Sequence, residues 1–338
     1  MRELTAGDSL DQYKLTELLA RSGMASIFKA IDGENGAAVA LKIPHPQFES
    51  DVVFFQRFRR EEEIGQKLDH ASIVKILKPR DKSRMYMAME YVDGRSLRAI
   101  MSEERTLPLE RALDVAIQLC EALIYLHAQN VVHRDLKPEN ILVLSTGRIK
   151  ILDFGIALDE SARRLTWFGL SNPLGTPDYM APEQIGGRRG DVRTDVYSVG
   201  ILLYEMVTGN LPFSSTNQHA LMRMKANEEP RPPSYYVPNI APAVETIILR
   251  AIERAPRDRY PTAAALLADL RNPDGVAPRD EEARAARRVR GGGLVARRTR
   301  LLLVAGVVIA GLLTLVWSSQ HRPSPAAGEP LGVGGRRP

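Results

Sequence analysis

Apolar residues follow three rhythms along this chain, and each rhythm implies a different kind of element. From 13 to 43 they come in short runs rich in β-branched and aliphatic residues: YKLTELL, SIFKAI and, past the turn signal Glu34-Asn35-Gly36, AVALKI. This spacing predicts a small antiparallel sheet. A helical stretch is expected over about 52–68, followed by two more strands, IVKIL at 73–77 and MYMAMEYV at 85–92. The rhythm then changes. Over 109–129, Leu109, Leu113, Ala116, Ile117, Cys120, Leu123 and Leu126 recur every three or four residues, which predicts a helix with one buried face. Short strands ILVL and IKIL flank Thr146-Gly147, and helices dominate from 192 to 271. A β-rich first part and a helix-rich second part imply two lobes with a ligand cleft between them.

The third rhythm is an unbroken one. Residues 301–317, LLLVAGVVIAGLLTLVW, carry no charge and one polar residue, Thr314. As a helix they extend roughly 25 Å, short for a membrane span but sufficient once Ser318, Ser319 and snorkelling arginines are included. Trp317 stands at the expected interface. Seven arginines lie between 284 and 300 and three follow the run, so the positive-inside rule places the N-terminal body in the cytoplasm. The first residues, MRELTAGDSLDQYKL, have no apolar stretch of the signal-peptide kind. The expected location is therefore the cytoplasmic (inner) membrane, with a single pass. Residues 272–300 read as a basic juxtamembrane linker whose arginines either meet anionic lipid or only set topology, and 320–338 as a short extracytoplasmic tail. The small-residue pairs Ala305-Gly306 and Ala310-Gly311 leave a homodimer open, although no Gly-x-x-x-Gly is present.

Composition narrows the function classes. With 338 residues, 44% hydrophobic and 26% charged, the chain has material for a sizeable core and is not disordered throughout. A single cysteine, Cys120, excludes an internal disulfide and a cysteine metal cage, and its place in the helical stripe makes it a small core residue. The net charge of +5 does not mark a nucleic-acid binder. From Arg279 onward there are eleven Arg against four acids, a net of +7, which leaves −2 for residues 1–278.

Four ordered motifs carry the chemistry: Val39-Ala40-Leu41-Lys42, then His133-Arg134-Asp135-Leu136-Lys137-Pro138-Glu139-Asn140, then Asp153-Phe154-Gly155, then Ala181-Pro182-Glu183. In this order and spacing the chain resembles the eukaryotic-type Ser/Thr protein kinases, and in particular their bacterial membrane-anchored members, over residues 10–271. The resemblance implies an α+β, two-lobed protein-kinase fold, with a small β-rich N-lobe and a larger helical C-lobe, followed here by a single transmembrane helix at 301–319. It also implies ATP and Mg²⁺ as cofactors and protein Ser/Thr hydroxyls as acceptors.

Phosphoryl transfer needs positioned charge more than covalent chemistry. By resemblance, Asp153 and Asn140 would hold the metal, Asp135 would accept or orient the acceptor hydroxyl, and Lys137 would steady the transferred phosphate and mark the Ser/Thr class. Lys42 would reach the α and β phosphates, held by Glu61 of the Phe58-Arg59-Arg60-Glu61 pattern, with Glu62 and Glu63 left solvated. Adenine would lie against the backbone of Glu90 and Val92, with Met89 as gatekeeper. Leu19, Ala20, Ser22, Gly23, Ala25 and Ile27 would form the loop over the phosphates. That loop departs from Gly-x-Gly-x-x-Gly, because Ala20, Ser22 and Ala25 stand where the pattern has glycine. At ~1 kcal/mol each, the replacements would cost about fivefold in nucleotide affinity per site, or about a hundredfold if additive. A membrane-tethered binding module with a kinase fold and weak or no catalysis is therefore the alternative reading.

Arg134 would pair a phosphate of the activation segment, for which Ser161, Thr166 and Ser171 are candidate acceptors and Thr166 the first choice. Thr176 would pack near Asp135 and Lys137 at the peptide-docking turn. Glu183 would pair with Arg259, Asp195 would brace the catalytic loop, and His70 and His127 would pack or hydrogen-bond.

Overall fold

The computed structural model of the chain describes residues 2–153 and 177–277. Ser161, Thr166, Ser171 and Thr176, the expected span 301–319, the tail 320–338 and nearly all of the linker 272–300 lie outside the described residues. Among the described residues no helix is long and apolar enough to cross a membrane. The described residues belong to one unit.

Its first part is a five-stranded sheet, β1 (Ser9–Leu10), β2 (Tyr13–Arg21), β3 (Ala25–Asp32), β4 (Ala38–Pro44) and β5 (Met87–Glu90), in sequential order with every neighbour antiparallel. The period-2 pattern is clearest in β3, where Phe28, Ala30 and Asp32 are buried and Ile27, Lys29 and Ile31 half-buried. Two register shifts interrupt the β2–β3 ladder, between Leu15 and Glu17 and between Leu18 and Ala20. Extra residues of this kind twist a strand, and here they fall just before the loop expected to cover the phosphates.

After α1 (Pro46–Glu49) comes α2 (Val52–Gly65). Its cap is Asp51, whose carboxylate accepts the N–H groups of Val53 and Phe54 at 2.9 and 3.0 Å. Helix α2 buries Phe58, Glu61 and Gly65, at spacings of three and four. Phe58 packs with Ala40, Val74, Ile76, Met87 and Met89 in a core between helix and sheet. Gly65 permits that approach, because a Cβ there would stand 2.5 Å from Ile76 Cγ1.

The second part holds β6 (Gly94–Ser96), β7 (Ile141–Leu144) and β8 (Ile149–Ile151) in one small sheet, with α3 (Leu97–Glu104), α4 (Leu109–Ala128), α5 (Pro182–Ile185), α6 (Val192–Thr208), α7 (Gln218–Asn227), α8 (Pro242–Ala251) and α9 (Ala263–Arg271). Helix α6 is buried from Thr194 to Thr208, so the other helices pack around it.

Two expectations need correction, and two elements had gone unpredicted. Residues 73–77 are not a strand: Val74 donates to Ile151 of β8, while Leu77 donates to Ala88 and Glu90 donates to Lys75. The segment divides its backbone bonds between the two lobes, which an apolar run does not reveal. Helix α4 buries Ala112, Val115, Leu119 and Ala122 beside Ala116, Cys120, Leu123 and Leu126, whereas Leu109, Leu113 and Ile117 are only half-buried. It is packed on more than one side by α6 and α9, and the single predicted stripe was too narrow. Helix α3 and strand β6 carried too few residues to show a period.

Cys120 is fully buried, and burial pushes its thiol pKa up. It is expected to stay unreactive toward an aromatic disulfide reagent in the folded chain and to release one equivalent on denaturation, as read by absorbance.

Candidate active site

The geometry begins with Lys42 on β4, which stands opposite Ile27 of β3 and Met87 of β5. Its ammonium is 3.2 Å from Glu61 Oε1 and 2.8 Å from Asp153 Oδ1. One cation thus ties together the sheet, α2 and the segment that follows β8. Burial alone would lower the Lys42 pKa, but the carboxylates of Asp153 and Glu61 outweigh it and hold the amine above its ordinary value. Burial pushes Glu61 up to about 7, against the pull of Lys42 and with the charge of Asp153 adding to the rise. Asp153, half-buried, is held low by Lys42 against the effect of burial. Two carboxylates facing one cation are pulled apart in this way: Asp153 is the firm anion and Glu61 the one that yields.

The loop from His133 to Asn140 is held from below by Asp195 on α6. That carboxylate accepts the backbone N–H groups of His133 and Arg134 at 2.9 and 2.8 Å and bonds His127 at 2.8 Å. Above it, Asp135 gathers its neighbours. Lys137 Nζ lies 2.8 Å from Asp135 Oδ2, and the Asn140 amide donates to the Asp135 carbonyl at 3.0 Å and to its carboxylate at 3.2 Å. Leu152 N–H donates to the Asn140 carbonyl at 2.8 Å, which sets Asn140 beside the residue preceding Asp153. Arg134 and Asp153 have φ of +65° and +26°. Neither is glycine, so strain of order 1–3 kcal/mol is stored at two site positions. The Arg134 side chain donates to the carbonyls of Arg189 at 3.1 Å and Gly190 at 3.5 Å, and Gln184 donates to the Arg134 carbonyl at 3.0 Å.

At the nucleotide edge, Leu19 and Ala20 end β2, exposed, and Ala25 and Ile27 begin β3. Between them Ser22, Gly23 and Met24 make a tight turn, closed by the bond from Ser22 N–H to the Ala25 carbonyl at 2.9 Å. The Ser22 hydroxyl accepts from Met24 N–H at 3.3 Å and Ala25 N–H at 3.1 Å. Neither Ala20, Ser22 nor Ala25 has positive φ, so the turn forms without the conformation that only glycine adopts freely. Met89 is buried in the core shared with α2, and Val92 packs against the same cluster. Glu90 is anchored twice: its backbone N–H donates to the Lys75 carbonyl at 2.9 Å, and its carboxylate accepts Lys75 N–H at 2.9 Å and pairs with Lys150.

Several of these bonds were not legible beforehand. Glu62 is not solvated, because Lys82 folds over α2 to pair with it, whereas Glu63 pairs with the exposed Arg59. Arg98 is a hub that no motif marked: it binds Glu139 at 2.8 Å, Glu205 at 2.9 Å and the hydroxyl of Tyr179. Glu183 pairs with Arg259 through two bonds of 2.8 and 2.7 Å, as expected, and also accepts from Thr194 at 2.9 Å. His70 stacks on Tyr125 and accepts Ser72 N–H at 3.1 Å.

A β-sheet lobe whose half-buried lysine closes onto a helix glutamate and a C-lobe aspartate, above a loop in which Asp, Lys and Asn converge, defines the phosphotransferase class of the two-lobed kinases. The comparison with known sequences agrees: residues 13–269 match the protein kinase domain, and the chain belongs to that family. A probable serine/threonine-protein kinase of Corynebacterium efficiens is 39% identical over 271 residues, covering 77% of this chain and 41% of its own length. The serine/threonine-protein kinase PknB of Mycobacterium tuberculosis is 35% identical over 267 residues, covering 77% and 42%. This chain therefore spans about two fifths of the length of these relatives. Among solved structures, the PknI kinase domain of M. tuberculosis superposes with a TM-score of 0.65 at 25% identity, over 81% of this chain and all of that one.

Proposed function

We propose that this chain is a Mg²⁺-ATP-dependent protein Ser/Thr kinase, acting in the cytoplasm and tethered to the inner membrane through residues 301–319. The observation that carries the reading is the Lys42 ammonium seated between Glu61 and Asp153, with Asp135, Lys137 and Asn140 bonded together in the adjoining loop. The donor set suits Mg²⁺. Among the described residues no cluster of three or more His, Cys, Asp or Glu could cage a metal. A carboxylate and an amide oxygen, Asp153 and Asn140, are instead what an ion sharing its shell with phosphates and water requires.

Mg²⁺, when bound, neutralises charge on the phosphates as the γ-phosphoryl group departs. Lys42 supplies the protein's cation to the same phosphates, and Glu61 holds it in place. Asp135 orients the acceptor hydroxyl and takes its proton, and Lys137, already 2.8 Å from that carboxylate, steadies the phosphoryl group in flight. Glu90 and Val92 offer backbone to the adenine, and Arg134, already donating to the carbonyls of Arg189 and Gly190, would pair a phosphorylated activation segment.

The altered glycine loop favours the weaker-binding alternative only in part, because the turn forms without strained residues at the replaced positions. What remains is the Ser22 hydroxyl, bonded to two N–H groups at the tip of the turn. Ser22→Gly frees both donors and is expected to lower KM for ATP about fivefold, a change of ~1 kcal/mol, whereas Ala20→Gly and Ala25→Gly leave it nearly unchanged. Steady-state kinetics on the three variants checks this.

The reading is tested with the full chain in mild detergent and radiolabelled ATP. Label on Ser or Thr in the wild type and none in Asp135→Asn is the expected result. A folded wild type that takes up no label with either Mg²⁺ or Mn²⁺ would shift the assignment to a binding module. For the tether, deleting residues 301–338 is expected to move the protein from the carbonate-resistant membrane fraction to the supernatant; retention in the membrane would refute it.

A further inference from the structure

Lys225, on α7, has no part in the site described above, and yet it is one of the most completely buried side chains, 1% exposed. A buried ammonium is costly unless its donors are matched. Here the match is complete. Lys225 Nζ donates to the carbonyls of Pro177 at 2.8 Å, Met180 at 2.9 Å and Asp178. The remaining carbonyl of that turn, Tyr179, accepts from Ser198 Oγ of α6 at 3.2 Å. All four carbonyls from 177 to 180 are thus bound from inside the C-lobe, three of them by one side chain. The turn is connected in turn to the chemistry: the Tyr179 hydroxyl meets Arg98, and Arg98 binds Glu139, the neighbour of Asn140.

We propose that Lys225 is a positioning residue for the protein acceptor: its ammonium fixes the turn 177–180, on which the acceptor chain rests beside Asp135, and so sets acceptor KM without touching the nucleotide. The inference rests on the kinase reading above. It distinguishes two forms of the side chain. The ammonium has three donors for three carbonyls, whereas the neutral amine has two donors and turns a lone pair toward the third carbonyl. The titratable groups that face it are Asp178 on the turn and Tyr197 on α6, whose ring centre is 5.6 Å from Nζ; Glu183 on α5 is engaged by Arg259. Burial pushes Lys225 down to about 7, with Asp178 opposing, so the pin loosens as pH rises through the neutral range.

The test measures KM for myelin basic protein and for ATP separately, using the full chain in detergent. Lys225→Met is expected to raise the acceptor KM at least tenfold and leave the ATP KM within twofold, and Lys225→Arg, with its permanent charge, to recover most of the loss. In the wild type the acceptor KM is expected to rise at least threefold between pH 6 and pH 8.5 while the ATP KM stays flat. That profile serves as the test if Lys225→Met does not fold. Equal shifts in both KM values, or an acceptor KM indifferent to both substitution and pH, would overturn the proposal. A wild type without any turnover would instead sink the kinase reading, and this one with it.

Discussion

Lys42→Met is expected to lower phosphoryl transfer by about 10²- to 10³-fold, the usual loss when a preorganised charge is removed from a transition state. The chain should still fold. Its ammonium stands between two carboxylates, 3.2 Å from Glu61 and 2.8 Å from Asp153, so the substitution leaves two anions facing each other, Glu61 buried and Asp153 half-buried. Breaking a buried pair in this way costs about 3–5 kcal/mol when the orphaned charge cannot be discharged. Glu61 can discharge it, because its carboxyl is already raised to about 7 and rises further once Lys42 is gone. Much of the stability loss should therefore vanish below neutral pH. The sign follows from the proton balance: the folded variant binds a proton at Glu61 that the unfolded chain gives up near the ordinary value of 4.5, so stability falls as pH rises through that window. The double variant Lys42→Met/Glu61→Gln should be no less active than Lys42→Met and more stable at pH 8. Radiolabel transfer and urea melts at pH 6 and 8 check both statements, and an Lys42→Met variant with full activity would remove the site from consideration.

The largest loss of stability is expected at Arg259. This side chain is wholly buried, and each of its five N–H donors has a partner. Two go to the Glu183 carboxylate at 2.8 and 2.7 Å, and three to the carbonyls of Glu253 at 2.6 Å, Arg193 at 3.0 Å and Arg254 at 3.0 Å. Arg259→Ala strips Glu183 of its cation, leaving it the Thr194 hydroxyl, and takes the side-chain donor from three carbonyls, and should cost about 3–5 kcal/mol in a urea melt. Arg259→Lys supplies three compact donors where a planar fork of five is needed, so it should recover less than half of the loss. Arg259 and Thr194 hold the Glu183 carboxyl below its ordinary range against the effect of burial. A carboxylate depressed in this way contributes stability above the unfolded-chain value of 4.5 and loses it as pH falls through the lower, folded one. The difference between wild type and Arg259→Ala should therefore shrink on acidification below about pH 4.5. A constant difference down to pH 3 would show that Glu183 is not the source.

The sequence by itself determined the elements with a period and the residues with a motif. The strands around 13–43, the helix from 109 and the order Lys42, Asp135, Asn140, Asp153, Glu183 follow from local spacing, because both secondary structure and motif spacing are local properties of the chain. The partner of Lys42 was legible too, through the Phe58-Arg59-Arg60-Glu61 pattern on which the resemblance rests. Tertiary structure alone decided the contacts made across long separations. Residues 73–77 became a bridge between lobes because their backbone bonds had partners on both sides. Glu62 lost its solvent to Lys82, twenty residues away. Arg98 became a hub through Glu205, 107 residues distant, and Lys225 met the carbonyls of residues 45 to 48 positions earlier. No local pattern marks such residues. A charged side chain is exposed by default, and it becomes a buried fastening only where the fold happens to bring matching acceptors around it.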